Sequence, residues 1–167
     1  MRNIVIILVM LMFINVIGCQ EREDNRLAIE EEIDNEATEL EESEGIWLTD
    51  YDQAMTVAKE SDLPVLINFS GSDWCIWCQK LEEEVFDKEE FKAYAEENLV
   101  LLNLDFPRKS TQSKEVQAAN QALAERFGIR GFPTVILLNS KGEIIGQTGY
   151  QEGGPKPYID HLKQMIK

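Results

Sequence analysis

"FSGSDWCIWCQKLEEEVF", residues 69–86, holds two cysteines, Cys75 and Cys78, separated by Ile76 and Trp77 and each preceded by a tryptophan. Immediately upstream, "VLINF" at 65–69 is a short apolar run of the kind a buried strand uses. Downstream, Cys78, Leu81 and Val85 recur at helical spacing, so a helix begins near Cys75 after a Gly-Ser-Asp turn. A Cys-x-x-Cys pair that opens a helix has three chemical uses: gripping a metal, bracing a loop, or exchanging electrons. A brace closing so small a loop constrains little of the unfolded chain, which makes stability a poor reason for it. A closed zinc site wants four Cys or His ligands. The chain has one histidine, His161, which reads as a surface residue of the last helix. Its solitude also argues against a Cys-His hydrolase. No metal site is expected.

Working outward, the pattern is one of alternating strands and helices. Residues 49–62 read as a helix with Thr49 and Asp52 spaced as a capping box, closed by Pro64. Asp87 and Glu90 mark a second box-like start, after which Phe91, Tyr94 and Ala95 face the core. "LVLLNLD" at 99–105 is the next buried strand, and a polar stretch leads to a helix over 115–127 ended by Gly128. The run 131–138 enters a hairpin turn at 139–142 and a strand at 143–148, and Pro155 and Pro157 start a final helix. With a short strand at 46–48 the order is β-α-β-α-β-α-β-β-α. At 167 residues there is room for one such domain and appendages.

The N-terminus reads as an address. Residues 4–17 are almost wholly apolar behind a short positive start, the length of a signal-peptide core and too short for a comfortable membrane span. Val16-Ile17-Gly18-Cys19 resembles a bacterial lipobox, so 1–18 are read as a lipoprotein signal peptide and Cys19 as the lipidated first residue. Residues 20–44 carry 12 acids against 2 arginines, a composition that cannot bury enough apolar surface to offset chain entropy, and they read as a flexible tether. The whole chain has net charge −15, and neither this segment nor the rest has the basic stripe nucleic-acid binding needs. Of three cysteines, one is then a lipid attachment point, and Cys75 and Cys78 form a pair outside the cytoplasm, where disulfides persist.

Cys-x-x-Cys opening a helix after a buried strand, with Gly131-Phe132-Pro133-Thr134 leading into a later one, resembles the thioredoxin-like family. The motif Gly-Ser-Asp-Trp-Cys-x-Trp-Cys is most similar to a secreted, lipoprotein branch, and also to the thioredoxin-like domain of transmembrane thiol-disulfide reductases. The resemblance covers 45–167 and implies an α/β thioredoxin-like fold, a central mixed β-sheet flanked by helices. It implies Cys75 as the nucleophile, held as thiolate by the helix N-terminus, and Cys78 as the resolving thiol. It also implies a cis bond at Phe132-Pro133 that pairs with an extended substrate strand. Trp77, between the cysteines, is expected to be an exposed docking residue for clients, with Trp74 either packed or in contact with substrate. Two departures stand out: Asn68 sits where the family places a buried acid for proton transfer, and Leu101 where it places a lysine. Asp73, read chiefly as a turn residue, and water are the substitutes considered for that acid.

The resulting expectation is a membrane-tethered thiol-disulfide oxidoreductase in the cell envelope, on the periplasmic or cell-surface side. It would be monomeric, need no cofactor, take electrons from a membrane-bound donor, and reduce or isomerise disulfides of protein clients. The alternative from another class is a redox-sensitive binding module that delivers Cu(I) or assists folding without turnover.

Overall fold

All six residues of β1 (Val65–Ser70) are buried. A strand covered on both faces has no solvent side to mark with alternating polar residues, which is why its sequence is mostly apolar, with Asn68 and Ser70 the exceptions. In the computed structural model, which describes residues 47–167, β1 is one of the two inner strands of a four-stranded sheet ordered β2-β1-β3-β4. It pairs in parallel with β2 (Val100–Asp105) and antiparallel with β3 (Thr134–Leu138), which in turn pairs antiparallel with β4 (Ile144–Thr148). The sheet is therefore mixed, as expected. The expectations for residues 1–46, including the signal segment, Cys19 and the tether, lie outside the described residues.

The period of two along the strands sorts side chains into two cores. Leu66, Leu101, Val135 and Leu137 face one way, onto Leu81, Phe86, Phe91, Tyr158 and Leu162 of the helices on that side. Val65, Ile67, Phe69, Leu102 and Ile136 face the other way, onto Ala54, Ala58 and Ala124. Each large apolar side chain so buried contributes about 1.5–3 kcal/mol. The first face carries α2 (Ile76–Leu81), α3 (Glu89–Asn98) and α5 (Pro155–Ile166); the second carries α1 (Tyr51–Ser61) and α4 (Lys114–Arg126).

Several boundaries differ from the sequence reading. The cap of α1 is Asp50, whose carboxylate accepts from the Gln53 N–H at 2.7 Å, not Thr49. Of the strand expected at 46–48, the described residues 47 and 48 hold a single bridge, between Leu48 and Leu102. The helix carrying the cysteines does not end at a simple cap; it widens into a π-helical turn, Glu82–Phe86, closed by the Asp87 N–H donating to the Glu82 carbonyl at 2.8 Å. Asp87 is consumed by that turn, so the N-cap of α3 is Lys88 rather than Asp87. Gly128 has φ 64°, the left-handed conformation expected after α4.

Candidate functional site

The sheet register assembles the site. Because β3 runs antiparallel to β1, with Phe69 opposite Thr134, the exit of β1 toward the cysteines and the entry of β3 at Pro133 lie at the same end of the sheet. The Phe132–Pro133 bond there is cis.

Cys75 is the N-cap of α2, with extended backbone at φ −91° and ψ 102°, and its Sγ accepts the Cys78 N–H at 3.2 Å. A sulfur in that place takes up one of the amide donors that a helix start leaves without an intrahelical partner. The Cys75 N–H donates to the Gly71 carbonyl at 2.8 Å, which curls the preceding turn under the pair. Cys75 and Cys78 are joined as a disulfide, and both are buried.

The loop from β1 is clamped to residues distant in sequence. Asp105, at the end of β2, accepts the Ser72 N–H at 2.9 Å and its hydroxyl at 2.7 Å. Asp73 reaches across to the next loop, where its carboxylate accepts the backbone N–H groups of Arg108 (2.9 Å), Lys109 (2.6 Å) and Ser110 (3.0 Å). These bonds, Arg108 foremost, hold the Asp73 carboxyl below its usual value against the opposing effect of its partial desolvation. Its role is thus to tie two loops together rather than to shape its own turn. A sequence reading had no signal for a partner 35 residues away.

The two tryptophans part company. Trp74 is half-buried: its Nε1–H donates to the Phe106 carbonyl at 2.8 Å, the Arg108 guanidinium lies 3.6 Å from its ring centre, and Phe132 meets it edge-on at 5.7 Å. Gly71 makes room for that ring; a Cβ there would lie 2.5 Å from Cε2 of Trp74. Trp77 is 50 % exposed, beside the even more exposed Ile76. Its ring centre lies 5.3 Å from that of Tyr150, with Lys80 over both rings. Tyr150 in turn donates its hydroxyl to Glu84, and that bond raises its pKa to about 12. Tyr150 was not singled out in the sequence, since nothing local connects it to the motif.

Beneath the pair, Asn68 is 2 % exposed; its Nδ2 donates to Asn103 Oδ1 at 3.0 Å, and its own Oδ1 has no partner among the described residues. Leu101 is buried in the core. His161 is removed from this chemistry: it is half-buried rather than on the surface, with Nε2 3.2 Å from the Thr148 hydroxyl.

Residues 51–166 match the thioredoxin-like domain family, well over half of the chain. The chain belongs to the thioredoxin-like family. It is 32 % identical over 117 residues to the disulfide bond reductase DsbH of Chlamydia pneumoniae, covering 70 % of each chain. A solved structure of DsbH oxidoreductase superposes with a TM-score of 0.69 at 30 % identity, covering 72 % of this chain and 83 % of that one. The thiol:disulfide interchange protein DsbD of Pasteurella multocida is 29 % identical over 135 residues, 78 % of this chain but 21 % of that longer protein. Within the thioredoxin-like family the chain is a thiol-disulfide oxidoreductase of the DsbH/DsbD type, and Cys75–Cys78 is its disulfide.

Proposed function

We propose that this oxidoreductase is tethered outside the cytoplasmic membrane through a lipid on Cys19 and reduces or isomerises disulfides of protein clients. The observation that carries the chemistry is the Cys75 sulfur at the helix start, where it accepts the Cys78 N–H at 3.2 Å. Such a donor favours the thiolate once the pair is reduced. In the forward reaction the Cys75 thiolate attacks a client disulfide, forming a mixed disulfide and releasing one client thiolate. Cys78 then attacks Cys75 Sγ, the Cys75–client bond breaks, and two electrons have passed to the client. A membrane-bound dithiol donor would restore the reduced pair. Trp77 and Ile76 supply an exposed apolar surface beside the cysteines, suited to clients whose disulfides lie among apolar residues. The reductive direction is supported by the printed name of the DsbH relative, and the tether by the Cys19 motif and the acidic segment after it.

The full-length reduced chain, mixed with insulin, should transfer electrons stoichiometrically and precipitate the freed chains. Cys78→Ser should accumulate mixed disulfides with clients, and Cys75→Ser should trap almost none. Absence of transfer, or trapping by Cys75→Ser instead, overturns the assignment of roles. Redox titration against glutathione tests the direction: a potential above that couple points to oxidation of clients. Labelled palmitate incorporated equally by wild type and Cys19→Ser removes the lipid tether.

A further inference from the structure

Each tryptophan of the motif carries a cation over its ring, and the two cations differ. Lys80, over Trp77, has a counter-charge in Glu84, 3.9 Å away. Arg108, over Trp74 with its guanidinium carbon 3.6 Å from the ring centre, is exposed, and among the described residues no carboxylate pairs with it. Asp73, whose carboxylate takes the Arg108 backbone N–H, is already occupied: it also accepts the N–H groups of Lys109 and Ser110, and the side-chain charge that acts on it is that of Lys109.

The Arg108 cation is held from two directions. Asp73 pins the backbone of residues 108–110, and the ring beneath the guanidinium is itself fixed by the Trp74 Nε1–H bond to the Phe106 carbonyl and by the edge of Phe132. A guanidinium resting on an aromatic face keeps N–H groups around its rim, in the fork that matches a carboxylate. Fixing it in advance lowers the ordering cost of binding. Trp74 immediately precedes Cys75, and Phe132 immediately precedes the cis Pro133, so this cation borders the place where a client disulfide must approach Cys75.

We propose that Arg108 is a specificity-determining residue that pairs with a carboxylate side chain next to the reactive cysteine of a client, a role that rests on the exchange function above. The preference is local. The chain as a whole has net charge −15, so an acidic client gains nothing from the long-range field. Charges farther apart than about 8 Å are largely screened at physiological salt, and only an acid within reach of the guanidinium is favoured. The exposed apolar residues Ile76 and Trp77 have a different neighbour, Tyr150. The favoured client therefore presents an acid on the Trp74 side of its disulfide and an apolar residue on the Trp77 side. The exchange step itself is unchanged: the Cys75 thiolate attacks the client sulfur and the client S–S bond breaks, while Arg108 neither gains nor loses a proton.

The test uses short cysteine peptides activated as 2-pyridyl disulfides, with Glu or Gln on one side or the other of the cysteine, mixed with the reduced full-length chain. Attack by Cys75 on the peptide sulfur breaks the peptide–pyridyl bond, and the pyridine-2-thione released gives the rate. Each rate is divided by that of dithiothreitol, which corrects for the reactivity of the peptide itself. At low salt the better-placed Glu peptide should react about fivefold faster than its Gln counterpart. Arg108→Gln should bring that ratio to about one and leave the Gln peptide within about twofold of wild type. Arg108→Lys, which keeps the charge and loses the fork, should retain part of the preference, and Lys92→Gln on α3 should match wild type. A wild-type ratio near one overturns the proposal, as does an Arg108→Gln chain that keeps the preference. Equal slowing of both peptides by Arg108→Gln overturns it too, since the guanidinium would then only brace Trp74. Should that variant fail to fold, salt decides on the wild-type chain: the preference should vanish in about 1 M NaCl, and one that persists overturns the ion pair. A wild-type chain that releases no pyridine-2-thione from any peptide overturns the exchange function itself, before Arg108 is in question.

Discussion

Trp74 and Trp77 are three residues apart, the same side chain in the same motif, yet they live in different environments. Trp74 precedes the helix, in the turn that follows β1, and its ring packs against Gly71 in a slot closed by Phe106, Arg108 and Phe132. Trp77 lies in the first turn of α2, and the helical rotation turns it outward, half-exposed, against Tyr150. The lesson is that a motif letter carries no environment of its own; whether the residue lies in the turn before the helix or in its first turn decides whether its ring is packed into a slot or left half-exposed.

The sharpest way to break this comparison is Trp74→Ala. It removes a hydrogen bond, a cation stacked on the ring and an aromatic contact together, and should cost about 3 kcal/mol, read as a lower urea midpoint. If it costs no more than Trp77→Ala, the two rings are equivalent and the comparison fails. Gly71→Ala attacks the same slot from below: with the new Cβ 2.5 Å from the ring, either ring or loop must move, at about 1–3 kcal/mol, and tryptophan fluorescence should shift.

A smaller effect is expected at Asp73. Its carboxyl is held below the usual range by backbone donors, so its contribution to stability is complete above the unfolded value of about 4 and is lost as pH falls through the lower folded value. Asp73→Asn should therefore quicken amide hydrogen exchange at residues 108–110 at neutral pH, and the difference from wild type should close toward pH 2–3. A difference independent of pH would mean that the charge is irrelevant to the clamp.

Least affected in stability should be Trp77→Ala, within about 0.5 kcal/mol of wild type. Its effect belongs elsewhere: roughly fivefold lower kcat/KM with protein clients and little change with small disulfides, as fits loss of an exposed apolar anchor. An equal loss with both substrates would place Trp77 in the chemistry rather than in docking.

Much of the fold could be read because local rules and tertiary packing agreed. "VLINF" at 65–69 and "LVLLNLD" at 99–105 are mostly apolar runs, interrupted at Asn68, Asn103 and Asp105, since β1 and most of β2 are covered on both faces, and Gly128 ends α4 where a left-handed residue is needed. The errors fell where a local signal had two solutions. Thr49 and Asp50 are both competent caps, and the chain used the second. Asp87 looked like the start of α3 but is held by the bond to the Glu82 carbonyl that closes the π-helical turn.

What the sequence by itself determined was the chemistry: which two sulfurs stand at a helix start, which proline leads into the later strand, and that the acid expected at position 68 is an amide. These depend on residue identity and on spacings of a few positions, where helix and strand periods leave little freedom. Only the tertiary structure decided what surrounds them. Asp73 meets residues 108–110, Trp77 meets Tyr150, and Glu82 shares a cleft with Asn103, because strand register and loop crossings bring together groups dozens of residues apart. No periodicity along the chain encodes such meetings; they follow from closing loops around a packed sheet.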